Sequence, residues 1–229
     1  MLRIILAGCH GRMGHQVVTY CKNNTNACIV AGIDRADRPV EEFPVFPKVD
    51  SCLVPADVVV DFSAPELLDS LLTFCCQRQL PLVSAVTGYP EQQLKKIRLA
   101  SHAIPIFRSA NLSIGANVLL KLTKQAATAL GPGFGAAITE RHHYQKADAP
   151  SGTALLLSDA IPQNANIFSI RAGTTAGEHT VMFAGQDEVL ELIHRADSRE
   201  VYAAGAVRAA HFLSAVGRPG LFGMDDLLK

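Results

Sequence analysis

Through the first half of the chain, short apolar runs alternate with segments whose apolar residues return every three or four positions. Arg3–Ala7 is one such run, rich in β-branched residues, and it ends in Gly8-Cys9-His10-Gly11-Arg12-Met13-Gly14. Met13, Val17, Val18 and Tyr20–Cys21 then recur at helical spacing, and Ala27–Ile33 is a second apolar run, closed by Asp34-Arg35. Strand, glycine turn, helix and strand in about 34 residues is the size of one βαβ unit. The alternation continues with a strand over Asp57–Phe62, a helix over Pro65–Gln79, a strand over Pro81–Val86, a helix over Glu91–Ser101 and a strand over Ile104–Phe107. Strands alternating with helices predict a parallel sheet covered on both faces, and repeated crossovers of this kind give a doubly wound, Rossmann-like sheet. Between Arg35 and Asp57 the pattern thins, and its prolines predict an irregular connection and a trimmed unit.

After Asn111 the pattern changes. Ser113–Leu130 reads as a helix capped by Ser113 and closed by Gly131-Pro132-Gly133. Phe134–His143 reads as a strand and Ser151–Ala160 as a short helix. Ile167–Ala172, Thr180–Ala184 and Val189–Ala196 read as strands, with a hairpin connection at Gly185-Gln186-Asp187-Glu188. Strands following strands predict an α+β region with a mixed or antiparallel sheet. Ala203–Ala215 reads as a last helix, and the tail RPGLFGMDDLLK carries no assigned element.

Composition narrows the class. Lys plus Arg equals Asp plus Glu at 21 each, which argues against a nucleic-acid partner, for which a basic excess is the usual footprint. No run of about 18 consecutive apolar residues predicts a membrane span. The N-terminus reads as a strand entering a glycine turn, not as a signal peptide. The six cysteines, Cys9, Cys21, Cys28, Cys52, Cys75 and Cys76, have no paired metal spacing and read as reduced thiols of a cytoplasmic protein.

Two segments carry candidate chemistry. A glycine turn between a strand and a helix presents orphan N–H groups and a helix dipole to an anion, and glycine lets the backbone approach a pyrophosphate. Here Gly8, Gly11 and Gly14 are spaced G-x-x-G-x-x-G, with His10 where the usual fingerprint has its middle glycine. Asp34 could accept from a ribose 2′-OH and favour NADH; Arg35 and Arg12 could pair with a 2′-phosphate and favour NADPH, so either nucleotide is expected. The second segment is Glu140-Arg-His-His-Tyr-Gln-Lys-Ala-Asp-Ala-Pro-Ser-Gly-Thr153. On a strand, Glu140 and His142 face one way and Arg141 and His143 the other. Lys146 is expected to lower the pKa of the nearby imidazole, and a bound dianion to raise it again. Ser151, Gly152 and Thr153 open a helix whose N–H groups suit a carboxylate. A metal site is not expected, since the ligands lack a recognisable set or spacing.

At these residues the sequence resembles the 4-hydroxy-tetrahydrodipicolinate reductase (dihydrodipicolinate reductase) family. ERHHYQKADAPSGTAL is similar to the signature E-x-H-H-x-x-K-x-D-A-P-S-G-T-A. AGCHGRMG, VDFSAPE, TGY, SANLSIGANV, RAGTTAGEHTVMF and AAGAVRAA resemble further family segments in the same order, so the likeness spans nearly the whole chain. Ala85-Val86-Thr87-Gly88 departs from the family's usual Gly-Thr-Thr-Gly run. The resemblance implies an α/β fold in which a Rossmann-like dinucleotide domain, residues 1–113 and 207–229, carries an inserted α+β mixed-sheet domain, residues 114–206, that binds substrate and builds a homotetramer. Hinges are expected near Ser113 and near Gly205–Arg208. It implies hydride transfer from NADPH or NADH to a cyclic unsaturated dicarboxylate in lysine and diaminopimelate biosynthesis. It also implies that His142 is the general acid, that Lys146 is its catalytic partner and that His143, Gly152 and Thr153 are substrate contacts. Gly8, Arg12, Met13, Asp34, Phe62, Thr87, Gly88, Ala110 and Asn111 then match or adjoin cofactor contacts. A different nicotinamide-dependent amino-acid dehydrogenase and a non-catalytic dinucleotide-binding sensor remain as rival readings of the same residues.

Overall fold

The computed structural model describes all residues except 25, 37–41 and 163–164. It divides into two compact units, Met1–Leu112 with Tyr202–Lys229, and Ser113–Val201.

The first unit is built on a parallel sheet. In chain order its elements are β1 (Leu2–Ala7), α1 (Arg12–Asn23), β2 (Ala27–Ile33), β3 (Val45–Phe46), β4 (Val58–Asp61), α2 (Leu68–Arg78), β5 (Leu82–Ser84), α3 (Glu91–Ala100) and β6 (Pro105–Arg108). Among the described residues the sheet has seven strands. The seventh, β11 (Gly220–Phe222), comes from the C-terminal tail and lies parallel to β6, giving the order β11-β6-β5-β4-β1-β2-β3. The strands at the centre, β1 and β4, are almost wholly buried, which is why they read as unbroken apolar runs rather than alternating ones. Ile5, Val59, Leu71, Leu82, Ile97 and Ile106 belong to one core cluster with at most 1 % exposure. Burial of each such side chain contributes about 1.5–3 kcal/mol.

Two short strands escaped the sequence reading. Tail strand β11 offers only Gly-Leu-Phe, too short to show a period. The proline-rich connection after Arg35 contains β3, which pairs parallel with Gly32–Ile33, and a 3-10 turn at Val49–Ser51, so it is not wholly irregular. The part of that connection at residues 37–41 lies outside the described residues.

The second unit packs α4 (Ile114–Leu130) and α5 (Gly152–Asp159) against a four-stranded mixed sheet, ordered β10-β9-β7-β8 among the described residues. Its strands are β7 (Gly135–His142), β8 (Asn166–Arg171), β9 (Gly177–Ala184) and β10 (Val189–Ala196). β7 runs parallel to β8 and antiparallel to β9. Ile138, Ala154, Leu157, Val181 and Phe183 form its core with Leu119 and Ala127. Ser113 caps α4 as expected: its Oγ accepts from the Ala116 amide at 3.2 Å, a contact worth ~1 kcal/mol.

The last long helix, α6 (Glu200–Val216), starts earlier than its apolar spacing predicts, because Ser198 Oγ accepts from the Glu200 amide at 3.2 Å and opens the helix there. Its first two residues belong to the second unit and the remainder to the first. Gly205–Arg208 is therefore mid-helix, with Gly205, Ala206 and Val207 buried, and the chain passes between the units at Val201–Tyr202 instead. The short α7 (Met224–Leu227) ends the chain.

Candidate active site

The parallel register decides where the glycine turn sits. Ala7 pairs with Asp61, Asp61 with Ser84 and Ser84 with Arg108, so β1, β4, β5 and β6 finish level. The segments that follow them share one edge of the sheet: Gly8–Gly14, Phe62–Ser63, Ala85–Tyr89 and Ser109–Asn111. In open α/β sheets, ligands bind outside this carboxyl edge.

The turn itself is a backbone cradle. Gly8 has φ +78°, and a Cβ there would lie 2.7 Å from the Phe62 carbonyl carbon and oxygen. A Cβ on Gly14 would lie 2.2 Å from the Gly8 carbonyl oxygen. Neither position tolerates a side chain, so the loop from β1 packs directly on the loop from β4. Gly11 precedes α1, and no side chain caps that helix. Its first N–H groups, starting at Arg12 and Met13, therefore remain to be satisfied from outside the helix. Asp34 is oriented by the turn, its Oδ2 accepting from the His10 amide at 3.0 Å. Gly8, His10, Gly11, Asp34, Arg35 and Phe62 line a cavity of ≈ 480 Å³, within the size range of small-molecule sites. A dinucleotide fits this donor set: glycines that admit its phosphates, an uncapped helix start, an acid fixed at the end of β2 and an arginine beside it. Five of the eleven residues expected to meet a cofactor line this cavity. The other six, Arg12, Met13, Thr87, Gly88, Ala110 and Asn111, lie elsewhere along the same strand ends. Ile33, Pro47, Ser63, Ala64, Glu66 and Leu67 complete the cavity wall and went unnoticed in the sequence.

Beneath that edge Asp61 is fully buried. Its carboxyl accepts from the Ser63 amide at 2.9 Å, from the Ser63 hydroxyl at 2.5 Å and from the Tyr89 hydroxyl at 3.4 Å. Burial pushes its pKa up.

The histidine–lysine segment forms the end of β7 and the loop into α5. Ile138, Glu140 and His142 are buried and Arg141 is exposed, the alternation a strand requires. Glu140 has no exposure, yet His142, Arg171, Ser151 and Ser169 all bond to its carboxylate. His142 Nδ1 is 2.5 Å from Oε2, and Arg171 grips both oxygens, Nη1 to Oε2 at 2.9 Å and Nη2 to Oε1 at 2.7 Å. The Ser151 amide donates to Oε1 at 3.2 Å. Burial alone would raise the Glu140 pKa; the bonds from Arg171, Ser169 and His142 outweigh it and hold it at about 2.

Burial also lowers His142, opposed by Glu140 and assisted by the charges of Lys146 and Arg171. The sequence reading assigned this lowering to Lys146; desolvation is the larger cause. Lys146 is itself paired, its Nζ 2.8 Å from Asp148 Oδ1. His179 packs edge-on against His142, with ring centroids 5.2 Å apart, and lies 3.1 Å from Ser151 Oγ. Burial pushes His179 down to about 4. Ser151 Oγ accepts from the Ala154 amide and caps α5. Gly152 begins that helix with open space where a Cβ would stand, and Thr153 follows it in the first turn.

The structure thus brings His142, Lys146, His143, Ser151, Gly152 and Thr153 onto one strand end, one loop and one helix start. It adds partners the sequence did not reveal. Arg171 reaches Glu140 through the β7–β8 register, which sets His142 opposite Arg171. Arg199 Nη2 donates to His143 Nε2 at 3.3 Å. Among the described residues no carboxylate lies within ion-pair distance of Arg199, whereas Arg171 and Lys146 each have one.

Comparison with known proteins agrees with this geometry. Residues 2–112 match the family model "Dihydrodipicolinate reductase, N-terminus" and residues 115–228 match "Dihydrodipicolinate reductase, C-terminus". The chain is 43% identical over 252 residues to the 4-hydroxy-tetrahydrodipicolinate reductase of Caldanaerobacter subterraneus subsp. tengcongensis, covering 100% of this chain and 99% of that one. It is likewise 43% identical to the enzyme of that name from Clostridium tetani, covering 100% and 98%. Among solved structures, a dipicolinate-bound dihydrodipicolinate reductase from Paenisporosarcina sp. TG-14 superposes with a TM-score of 0.85 at 24% identity, covering 97% of each chain. A Thermotoga maritima aspartate dehydrogenase shares the fold more distantly, with a TM-score of 0.57 at 12% identity, covering 96% of this chain and 100% of that one. Matched in both halves, with His142 and Ser151 of its signature bonded to the buried Glu140, the chain belongs to the dihydrodipicolinate reductase family.

Proposed function

We propose that this protein reduces 4-hydroxy-tetrahydrodipicolinate, or the dihydrodipicolinate formed from it by loss of water, to tetrahydrodipicolinate in lysine and diaminopimelate biosynthesis. A bound NADPH or NADH supplies the hydride. The glycine turn at Gly8, Gly11 and Gly14 and the start of α1 at Arg12–Met13 would hold its phosphates. Asp34 and Arg35 would face its adenosine end, and Phe62, Thr87, Gly88, Ala110 and Asn111 would line the rest of the strand edge.

The observation that carries the reading is the histidine cluster with its charges counted. Glu140 offsets Arg171 and Asp148 offsets Lys146. His142 and His179 both have lowered pKa values and are neutral near pH 7. Arg199 is left over. A site with a spare guanidinium, a lysine on a short loop and a helix start beside it favours a small dianion. His143, Lys146 and Arg199 would grip one carboxylate, and the amides at Gly152 and Thr153, at the helix start that Ser151 caps, the other. The incoming negative charge would raise the His142 pKa, so the acid becomes loaded when substrate is in place. His142 then gives up its proton to complete the reduction across the conjugated double bond.

A homotetramer in the cytoplasm belongs to the same reading. Phe168, Ile170, Val189 and Ile193 are exposed apolar side chains on the second unit's strands, as a surface meant for another copy would require. Among the described residues no helix is long and apolar enough to cross a membrane.

The test is consumption of reduced nicotinamide when the freshly made cyclic product of pyruvate and aspartate semialdehyde is added to the protein. Turnover with that product, and none with amino acids, supports the reading. Nucleotide binding without turnover leaves the sensor; turnover on an amino acid leaves the dehydrogenase.

A further inference from the structure

We propose that Glu140 is the positioning residue of the proton-donating step. Its carboxylate fixes the resting His142 proton on Nδ1, leaves Nε2 as the nitrogen that loads and delivers the catalytic proton, and ties that ring to the helix start that receives a substrate carboxylate. This rests on the reading of His142 as the acid and concerns how the acid is held.

The geometry allows one polarity. An ionised carboxylate has no hydrogen to give, so at 2.5 Å from Glu140 Oε2 the His142 Nδ1 must be the donor. In the neutral ring Nε2 is then bare. The carboxylate is kept ionised by its own clamp: both Arg171 nitrogens and the Ser151 amide donate to it, and it has no exposure through which to draw a proton from water. Glu140 is therefore a poor proton source and a good anchor. The step balances without it changing state. Nε2 takes up a proton, the Nε2–H bond breaks as a bond to hydrogen forms on the substrate, the imidazole returns neutral, and Glu140 stays an anion.

The same carboxylate spans two functional pieces. Oε2 meets the acid and Oε1 meets the Ser151 amide, so the ring and the first turn of α5 keep a fixed spacing. Groups facing His142 are Glu140, which raises its pKa, Lys146 and Arg171, which lower it, and the edge-packed His179. Taking away the Glu140 charge leaves only the opposing influences. The protonated fraction of His142 at a given pH then falls, and the decline of kcat/KM toward high pH moves to lower pH.

Two measurements decide this. In the wild-type protein without substrate, the ring nitrogen resonances of His142 should show the proton on Nδ1; a proton on Nε2 with bare Nδ1 would overturn the proposal with no variant needed. In Glu140→Gln, kcat should fall by ~10²-fold or more, the scale for loss of a correctly oriented acid. The high-pH limb should move toward acid, and the Nδ1 preference should weaken. Glu140→Asp keeps the charge but withdraws it, and should restore the tautomer only in part. Glu178→Gln is the control: from β9 that carboxylate holds the exposed Arg141 of β7 and Arg195 of β10, and its loss should leave kcat and the pH profile alone. A folded Glu140→Gln protein with wild-type kcat and an unmoved limb would sink the idea. If wild-type protein consumes no reduced nicotinamide, the functional reading fails instead, and the tautomer measurement still reports separately on the Glu140 hold.

Discussion

The glycine edge of the first unit and the histidine cluster of the second solve similar problems with different materials. Under the proposed function both receive negative charge. At the edge the means are backbone: Gly8 against Phe62, Gly14 against Gly8, and an uncapped helix start. In the cluster the means are side chains, with one buried carboxylate receiving an imidazole, a guanidinium and an amide. A backbone site is sensitive to added volume and nearly indifferent to which neighbours supply side chains. A side-chain site is sensitive to a single proton and tolerates small additions of volume.

That contrast can be broken most severely at Gly14. Gly14→Ala places a methyl 2.2 Å from the Gly8 carbonyl oxygen, which the backbone must move to relieve. Nucleotide affinity measured by fluorescence titration should fall by more than ~10-fold, and the melting temperature should drop by an amount reflecting about 2 kcal/mol or more, the scale of overpacking. On the other side, His142→Gln should lower turnover by ~10²-fold while leaving nucleotide affinity unchanged. A loss shared equally between the two would show that the sites are not separable.

A pH titration sharpens the comparison further. The folded pKa of His179, about 4, lies below its ordinary value of 6.5. The folded state thus binds fewer protons, and stability from the neutral ring is complete above pH 6.5 and lost as pH falls toward 4. Glu140, depressed to about 2 from 4.5, adds a loss only below pH 4.5. Melting temperature followed from pH 7 to pH 4 should decline, and His179→Gln should flatten the part between pH 6.5 and 4. The smallest effect is expected at Gly152, where a Cβ meets nothing within 4 Å. Gly152→Ala should change stability by less than ~1 kcal/mol, since alanine is the better helix former. A large loss of turnover there with unchanged stability would mean that substrate fills that open space.

The same difference explains what could be read from the chain alone. Backbone constraints leave their mark in residue type: glycine at 8, 11 and 14 is written where it is needed, and Asp34 falls where β2 ends. The face shared by Glu140 and His142 was legible from alternation. That the two are partners was not, because it depends on how the rings turn. Arg171 was hidden more deeply, since it reaches Glu140 only through a parallel register that local spacing does not encode. Arg199 and His179 were invisible for the same reason. The lowering influence of Lys146 on His142 was legible from spacing; the larger one, burial, was not, because it depends on how the sheet and α5 close over the ring. Strand β11 went unseen because three residues between a proline and a glycine show no period until β6 lies beside them.

Gly205, buried in α6, touches the place where the chain first leaves the sheet unit. A Cβ on it would lie 1.8 Å from the Leu112 carbonyl oxygen. Exit and return are therefore stitched at one point, and everything between them is a loop in the topological sense, however large. Joining such neighbouring points by a short linker leaves the surrounding scaffold intact. A fold so seamed can exchange the cargo it carries without re-spacing its own strands.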